Sequence, residues 1–562
     1  MYCGDDGTAA LGRHAGYRLM RGHPQMSGST PSPSSAQVAQ LASMAELYPD
    51  EVGYRVVDGG HLTFGQWEAQ SNRLARGLVA AGVGHGDRVA IRLNGVNALR
   101  WVIAYAATHK VGAAAVPIDP RLAPPEVAHM LAHARAVALV TDEERVDSAL
   151  SSVAQDPDRL AALSLVIDAT MAGAEGAPGA GRGHRDGGAG PRCIPWEEIL
   201  ADDGSPFQVP VDDDDLSEIL FTSGTTGHPK GVAVRHGNAS SVPNATPSWS
   251  GGLWLHASPL ATFAGITFIY TPMKLGLTSA YQSPFDAGRW LEFVESERPM
   301  AVFLVPAMVQ LLLGHPRFDR ADLSSIQICS VGSAPLAPAA IDRLQERMPD
   351  ASVSNNYGMT EAGSVYCLMP KGEAVRRPGS VGKPLPPAEV RCVDGDGEVV
   401  APGTYGEVRL RIPGRQREYF DDPEATAEAW VDGWLRTGDI GRLDEDGYLY
   451  IGGRAKDVII RGGSNIYAVD VENTILSHPA VAEVAVVGIP HEVLGEDVAA
   501  VVALRPGQDV DGEELRQHCL VSLAGYKVPR RWEFVAELPR NPTGKVLKNE
   551  VRARLVGDGV HR

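Results

Sequence analysis

Apolar residues along this chain fall into helical and strand rhythms that take turns, and their order predicts the architecture. Val38, Leu41, Met44 and Leu47 recur at helical spacing, which places the start of ordered structure near Ala36. A hairpin-like piece follows from Tyr54 to Leu62, and Thr63 with Gln66 makes a capping box. The helix it opens carries Phe64, Trp67, Leu74 and Leu78 on one face and ends at Gly82. Gly86 to Leu93 reads as a turn and a strand, after which helix 97–110, strand 112–117, helix 124–134 and strand 136–141 follow. Such alternation predicts parallel sheets with helices on their faces. Residues 299–313, PMAVFLVPAMVQLLL, read as a strand and a buried helix, and strands near 326–330 and 352–356 each run into a small-residue loop. Gly, Val and short alternating runs over 378–451 predict a small β-barrel-like subdomain. Beyond it come a glycine turn at Arg461–Tyr467, a helix over 468–477, strands at 481–488, 497–504 and 531–537, and a helix from Glu513 to Leu523. The expected class is α/β: a large domain of layered β/α sheets with the barrel-like subdomain, then a small α+β C-terminal domain.

Composition sharpens this division. A chain of 562 residues exceeds a single core and divides into at least two domains. Residues 1–35 mix Gly, Ser, Pro and scattered charge without an apolar secretion segment; they read as a disordered leader, with Met26 an alternative start. The proposed units are then 36–455 and 456–562. A formal charge of −18 excludes a general nucleic-acid surface but not a local positive patch for a nucleotide. The 6 cysteines lack paired spacing, so neither a zinc site nor a disulfide framework is suggested, which fits a reducing, cytoplasmic setting. The longest apolar stretch, Trp101 to Ile118, is broken by His109 and Lys110 and reads as a buried helix and strand, not a membrane span. The Gly/Ala-rich run from Met171 to Pro191 reads as a mobile surface insertion, and the four aspartates at 212–215 as a solvated turn.

Chemistry concentrates at a few strings. Ile219-Leu220-Phe221 leads into Thr222, Ser223, Gly224, Thr225, Thr226 and Gly227, followed by His228-Pro229-Lys230-Gly231. Glycines let backbone N–H groups converge on an anion, the hydroxyls add donors, and Lys230 adds positive charge. The spacing is not that of the P-loop, because Gly227 is followed by His-Pro-Lys-Gly. Two strand ends supply further loops, Gly332-Ser333-Ala334-Pro335 and Asn356-Tyr357-Gly358-Met359-Thr360-Glu361, at the sheet edge where open α/β folds bind ligands. There Tyr357 offers a ring for stacking, Thr360 a phosphate donor and Glu361 a carboxylate for Mg²⁺. Asp439, within Gly433-Trp434-Leu435-Arg436-Thr437-Gly438-Asp439, suits a ribose. Asn541-Pro542-Thr543-Gly544-Lys545 is a turn with a lysine at its tip.

The string TSGTTGHPKGV resembles the phosphate-loop signature of the adenylate-forming enzymes, the family of acyl-CoA synthetases, peptide-synthetase adenylation domains and beetle luciferases. At least five motifs in order, over residues 36–550, carry the resemblance. It implies attack of a carboxylate on the α-phosphorus of MgATP, then transfer of the acyl group to a thiol after the small domain rotates. By resemblance Lys545 is catalytic, Arg454 contacts ribose or phosphate, Lys456 is the hinge, and Gly462-Gly463 line the thiol path. The implied cosubstrates are ATP with Mg²⁺ and CoA, and homodimerisation is a family habit. A separate carrier protein as acceptor, or a nucleotide-binding protein whose catalysis has decayed, are the alternatives. Lys548 falls outside the lysine pattern. The family usually has Pro and Glu where this chain has Ala468 and Asp470.

The acyl pocket is implied at Ala261, Thr262, Phe263, Gly265 and Val331. Where the family usually carries an aromatic residue and a histidine, this chain has Ala261 and Thr262. Either the pocket is enlarged for a bulky or branched acid, or neighbouring side chains fill the space. No acidic residue lies between Ser258 and Ser283, which favours an uncharged acyl tail.

Overall fold

A computed structural model describes residues 37–142, 161–170, 191–222, 229–240, 242–363, 367–386, 388–412, 414, 416–540 and 545–557. The leader, most of the Gly/Ala-rich run, Ser223–Gly227 of the phosphate-loop string and Asn541–Gly544 lie outside the described residues.

Alternating β/α order produces two layered sheets, as the sequence predicts. The first has seven strands among the described residues, in the order Ser352–Asn355, Ile328–Val331, Ala301–Leu304, Gly252–His256, Leu277–Tyr281, Val52–Val56 and His61–Thr63. All its pairings are parallel except the terminal hairpin. The second has eight, with Leu216–Thr222 beside Ala114–Pro117 on one side and the antiparallel strand Lys230–Arg235 on the other. Glu418–Tyr419 closes that edge, pairing Glu418 with Ala233 and Tyr419 with Val232.

Helices Gln37–Leu47, Phe64–Ala80, Ala98–Lys110 and Phe263–Lys274 share one apolar cluster with strands of both sheets. The Thr63 hydroxyl accepts from the Gln66 N–H and the Gln66 side chain accepts from the Thr63 N–H, so the capping box opens Phe64–Ala80 as predicted. Helix Ala98–Lys110 is almost wholly buried, His109 and Lys110 included. Lys110 sits 2.6 Å from the Glu68 carboxylate, and burial lowers the His109 pKa to about 3, so the ring is neutral. The helix Pro306–Leu313 departs from the fully buried reading: Val309 and Leu312 are buried, but Leu311 is 59% exposed. An unbroken apolar run cannot reveal which of its faces meets the core.

The barrel-like segment is an antiparallel sheet ordered Cys367–Leu368, Ser380–Pro384, Leu449–Arg454, Trp434–Leu443, Gly406–Arg411 and Glu389–Val393, with Trp430–Val431 paired to its long strand. Strands Ile459–Arg461, Ser464–Ile466, Val481–His491, Gly495–Leu504 and Arg531–Val535 form the last sheet, packed on helices Ala468–Leu476, Gly512–Leu520 and Lys548–Gly557. Tyr405 of the barrel-like segment meets Tyr467 with ring centroids 4.1 Å apart, and its hydroxyl donates to Asp470 at 3.2 Å. Asp212–Asp214 are exposed in a turn while Asp215 pairs with His85, and no acidic or histidine cluster among the described residues could hold a metal by itself. No helix among the described residues is long and apolar enough to cross a membrane.

Candidate active site

The site is built where strand ends deliver polar residues to one edge. Leu216–Thr222 is buried through Ser217, Glu218, Ile219 and Leu220, and pairs antiparallel with Lys230–Arg235 so that Thr222 faces Lys230. Both ends of the phosphate-loop string therefore meet. Lys230 Nζ lies 3.4 Å from Asp422 Oδ2 and 5.3 Å from the centre of the Tyr419 ring. A cleft beside it is lined by His129, His133, Pro229, Lys230, Gly231, Tyr419, Phe420 and Asp422.

The strands Ile328–Val331 and Ser352–Asn355 are parallel neighbours, with Val331 opposite Asn355, so their loops emerge together. Asn356 N–H donates to the Val331 carbonyl at 2.6 Å and Gly332 N–H to that of Leu304 at 3.1 Å. A Cβ on Gly332 would lie 3.1 Å from the Phe303 ring, so a larger residue there requires that ring to give way by a few tenths of an ångström. Ser333 takes a positive φ of 73°, and Ala334 and Pro335 follow it.

Tyr357, Asp439 and Arg454 come together as the centre of the site. The Tyr357 hydroxyl donates to Asp439 Oδ2 at 2.5 Å, and Arg454 Nε donates to Oδ1 at 2.9 Å. Asp439 and Arg454 are cross-strand partners, so the sheet itself sets their separation. Arg454 also donates to the Thr437 carbonyl, while the Thr437 hydroxyl accepts from Asp439 N–H. Burial pushes the Asp439 carboxyl above its usual range, against the opposing charges of Arg454 and Lys545. Burial and the Asp439 charge push the Tyr357 phenol well up, so it stays a donor. Lys545 stands at the surface within electrostatic reach of Asp439, Arg454, Lys456 and Asp457; the surrounding protein and the Arg454 charge lower its pKa, the aspartates opposing.

Glu361 accepts from the Tyr419 hydroxyl at 3.1 Å, and the Thr360 carbonyl accepts from Arg417 at 2.8 Å. Gly358 is exposed beside Met359, on the loop between Tyr357 and Thr360. A single carboxylate suits Mg²⁺, which usually takes one or two carboxylates together with substrate phosphates.

Of the residues expected at the acyl pocket, Ala261, Thr262, Phe263 and Gly265 lie at the start of helix Phe263–Lys274, and Val331 ends strand Ile328–Val331. Thr262 is its N-cap: the hydroxyl accepts from Gly265 N–H at 3.1 Å and donates to the Pro259 carbonyl at 2.7 Å. Gly265 is fixed by close approach, since a Cβ there would fall 2.1 Å from the Pro259 oxygen. Ala261 and Phe263 are half-buried and Val331 is fully buried. Lys456 is exposed in a 3₁₀ turn, Ala455–Asp457, and Gly462-Gly463 form a hairpin tip with φ of 56° and 82°. Among the described residues no hydrogen bond or ion pair ties that tip to Asp439; Gly462 N–H bonds to the Leu494 carbonyl instead.

Sequence reading misses Arg417, Tyr419 and Asp422, which lie in RQREYFDDPEA. Only the pairing of 418–419 with 232–233 brings them to Lys230 and Glu361, and nothing local announces a two-residue edge strand.

A tyrosine at the end of a parallel α/β strand thus meets a buried aspartate and an arginine of the antiparallel sheet, and the motifs around them are those of an adenylate-forming enzyme. The family model described as AMP-binding enzyme matches residues 41–420, and that of the AMP-binding enzyme C-terminal domain matches 470–545. The chain belongs to the AMP-binding enzyme family. A feruloyl-CoA synthase of an Amycolatopsis species is 37% identical over 501 residues, 88% of this chain and 94% of that protein. The fatty acid–[acyl-carrier-protein] ligase ScoC of Streptomyces coeruleorubidus is 32% identical over 518 residues, 90% and 94% of the two chains. Among solved structures, the anthranilate CoA ligase AuaEII in complex with anthranoyl-AMP aligns with a TM-score of 0.80 at 25% identity, covering 93% of this chain and 98% of that one.

Proposed function

We propose that this enzyme activates a hydrophobic carboxylic acid as its acyl-adenylate and passes the acyl group to CoA. The observation that carries this reading is the convergence of Tyr357, Asp439, Arg454 and Lys545. In the first step a carboxylate oxygen attacks the α-phosphorus, a new P–O bond forms, and the bond to the β-phosphate breaks with release of pyrophosphate. Two anions must meet, so positive charge at the transition state matters more than a protein nucleophile. Lys545 supplies it between carboxylate and α-phosphate, while Asp439 accepts from the ribose hydroxyls and Tyr357 stacks on adenine. Thr222, Ser223, Gly224, Thr225, Thr226, Gly227 and Lys230 cradle the outer phosphates; Gly332, Ser333, Ala334, Pro335 and Met359 border the adenine. Glu361 is the residue that would hold Mg²⁺, which when bound offsets the phosphate charge.

In the second step the thiol sulfur attacks the acyl carbonyl, the bond to AMP breaks, and the thiol proton leaves to solvent. The boundary at 455/456 fits this division, with rotation at Lys456 exchanging Lys545 for the Gly462-Gly463 turn. CoA is favoured as acceptor by the feruloyl-CoA and anthranilate-CoA relatives; the carrier-protein ligase supports a second reading in which a carrier thiol takes its place. The names of these relatives, together with a pocket segment free of acidic residues, support an aromatic or long aliphatic acid.

ATP–pyrophosphate exchange with aromatic, fatty and polycyclic acids, repeated with CoA to detect thioester, tests the assignment. Lys545→Ala is expected to abolish exchange while sparing thioester formation from supplied acyl-adenylate. Equal loss of both half-reactions would refute the division of labour.

A further inference from the structure

Arg417 is a buried cation, 4% exposed, that the reaction just proposed does not use. Its guanidinium donates to the Thr360 carbonyl at 2.8 Å and, through the other terminal nitrogen, to the Asn238 carbonyl at 2.7 Å. The same group stands 5.4 Å from the centre of the Phe263 ring, in the first turn of the helix expected to border the acid. Its own backbone is anchored, because the Arg417 carbonyl accepts from Trp430 Nε1 at 2.9 Å and the next two residues pair with Ala233 and Val232.

Two residues further on, Tyr419 donates to the Glu361 carboxylate. Side chains at i and i+2 of an extended segment share a face. The residue before the edge strand and the strand's second residue thus grip two consecutive residues, Thr360 by its backbone and Glu361 by its carboxylate. The opposing loop is shaped to accept the grip: Gly363 has φ of 84°, and a Cβ there would lie 2.6 Å from the Arg417 guanidinium carbon. A planar fork bridging two carbonyls at once is a task for arginine that lysine cannot reproduce.

We propose that Arg417 is a positioning residue for adenylate formation, acting with Tyr419 as a clasp that fixes Thr360 and Glu361 against the acyl-pocket helix. The inference rests on the reaction assigned above. It predicts a selective defect, because Thr360 and Glu361 serve the first half-reaction and not the second.

The test compares Arg417→Lys and Arg417→Met with the wild-type full chain in both half-reactions. Misplacement of a reacting group by an ångström costs on the order of 100-fold, so Arg417→Met is expected to lower exchange turnover by about 10- to 100-fold. Transfer from supplied acyl-adenylate to the thiol is expected to change by less than about threefold. Arg417→Lys, keeping the charge without the fork, should recover only part of the loss, and the Mg²⁺ concentration for half-maximal exchange should rise in both variants. Gly363→Ala, which pushes the guanidinium from the other side, should give the same selective defect if Arg417→Met does not fold. Equal loss in the two half-reactions, or an unchanged Mg²⁺ requirement, overturns the clasp. Absence of exchange in the wild type with every acid would instead defeat the assigned reaction, so the two failures are distinct.

Discussion

Replacing Asp439 by asparagine isolates the role of its charge. The carboxylate accepts from Tyr357 at 2.5 Å and from Arg454 at 2.9 Å, which uses two of roughly four acceptor positions and leaves others for a ribose. An asparagine can keep this arrangement by turning its oxygen to Arg454 and its amide nitrogen to the Tyr357 oxygen, which also accepts. Local structure should therefore persist. What is lost is the charge-assisted character of each bond and one acceptor for the ribose hydroxyls. Charge-assisted bonds contribute about 1.5–3 kcal/mol against about 1 for neutral ones, so the loss at the ribose is roughly 2 kcal/mol. At 1.4 kcal/mol per factor of ten, KM for ATP should rise about 30-fold in pyrophosphate exchange. Tyr357→Phe is the control: it keeps the ring for stacking and frees Oδ2, so its KM for ATP should change by less than about fivefold. An Asp439→Asn KM within about threefold of wild type, or a Tyr357→Phe effect as large as that of Asp439→Asn, would refute the ribose assignment.

Three other outcomes follow, one from buried histidines and two from the acyl helix. Burial lowers the pKa values of His109 and His256 to about 3 and of His236 to about 4, so the unfolded chain takes up protons near 6.5 that the folded chain refuses. Their contribution is complete above pH 6.5 and lost as pH falls towards 3, amounting at pH 5 to up to roughly 2 kcal/mol per histidine. Thermal melts should show a marked fall in melting temperature from pH 7 to pH 5, and a flat profile would contradict neutral buried rings. At the acyl helix, Thr262→Ala should destabilise by about 1 kcal/mol through loss of the N-cap. The pair Ala261→Phe, Thr262→His should cut kcat/KM for bulky acids by about 10-fold or more relative to slim ones, and an unchanged acid preference would place the pocket elsewhere.

The order of elements was legible because it depends on local rhythm. Thr63 and Gln66 announce their helix, and the strands near Val331 and Asn355 are read from their runs into the loops at Gly332 and Tyr357. Asp439 and Tyr357 could be named separately, but their contact spans 82 positions and is created by sheet packing. His109 and Lys110 interrupt an apolar run, and the helix they close is buried as read, with one of the two side chains neutral and the other paired. Thr262 shows a limit of comparing motifs. Its hydroxyl has a local duty as an N-cap, so a threonine there is explained without reference to the acid. Arg417 was invisible because its partners, Asn238 and Thr360, are backbone carbonyls, and a carbonyl leaves no trace in residue identity.

The contact between Tyr405 and Tyr467, with its single bond to Asp470, sets a latch on the C-terminal unit. An aromatic pair is worth about 0.5–1.5 kcal/mol beyond its buried area and a hydrogen bond to a carboxylate about 1.5–3. Together they amount to only a few times thermal energy. If the small unit rotates as proposed, a latch of that strength would yield to the departure of pyrophosphate or the arrival of a thiol, because either event would need to supply only a comparable difference in affinity between the two orientations. Turnover in an enzyme that works this way would be governed by how weakly its halves are fastened as much as by how well its site is built.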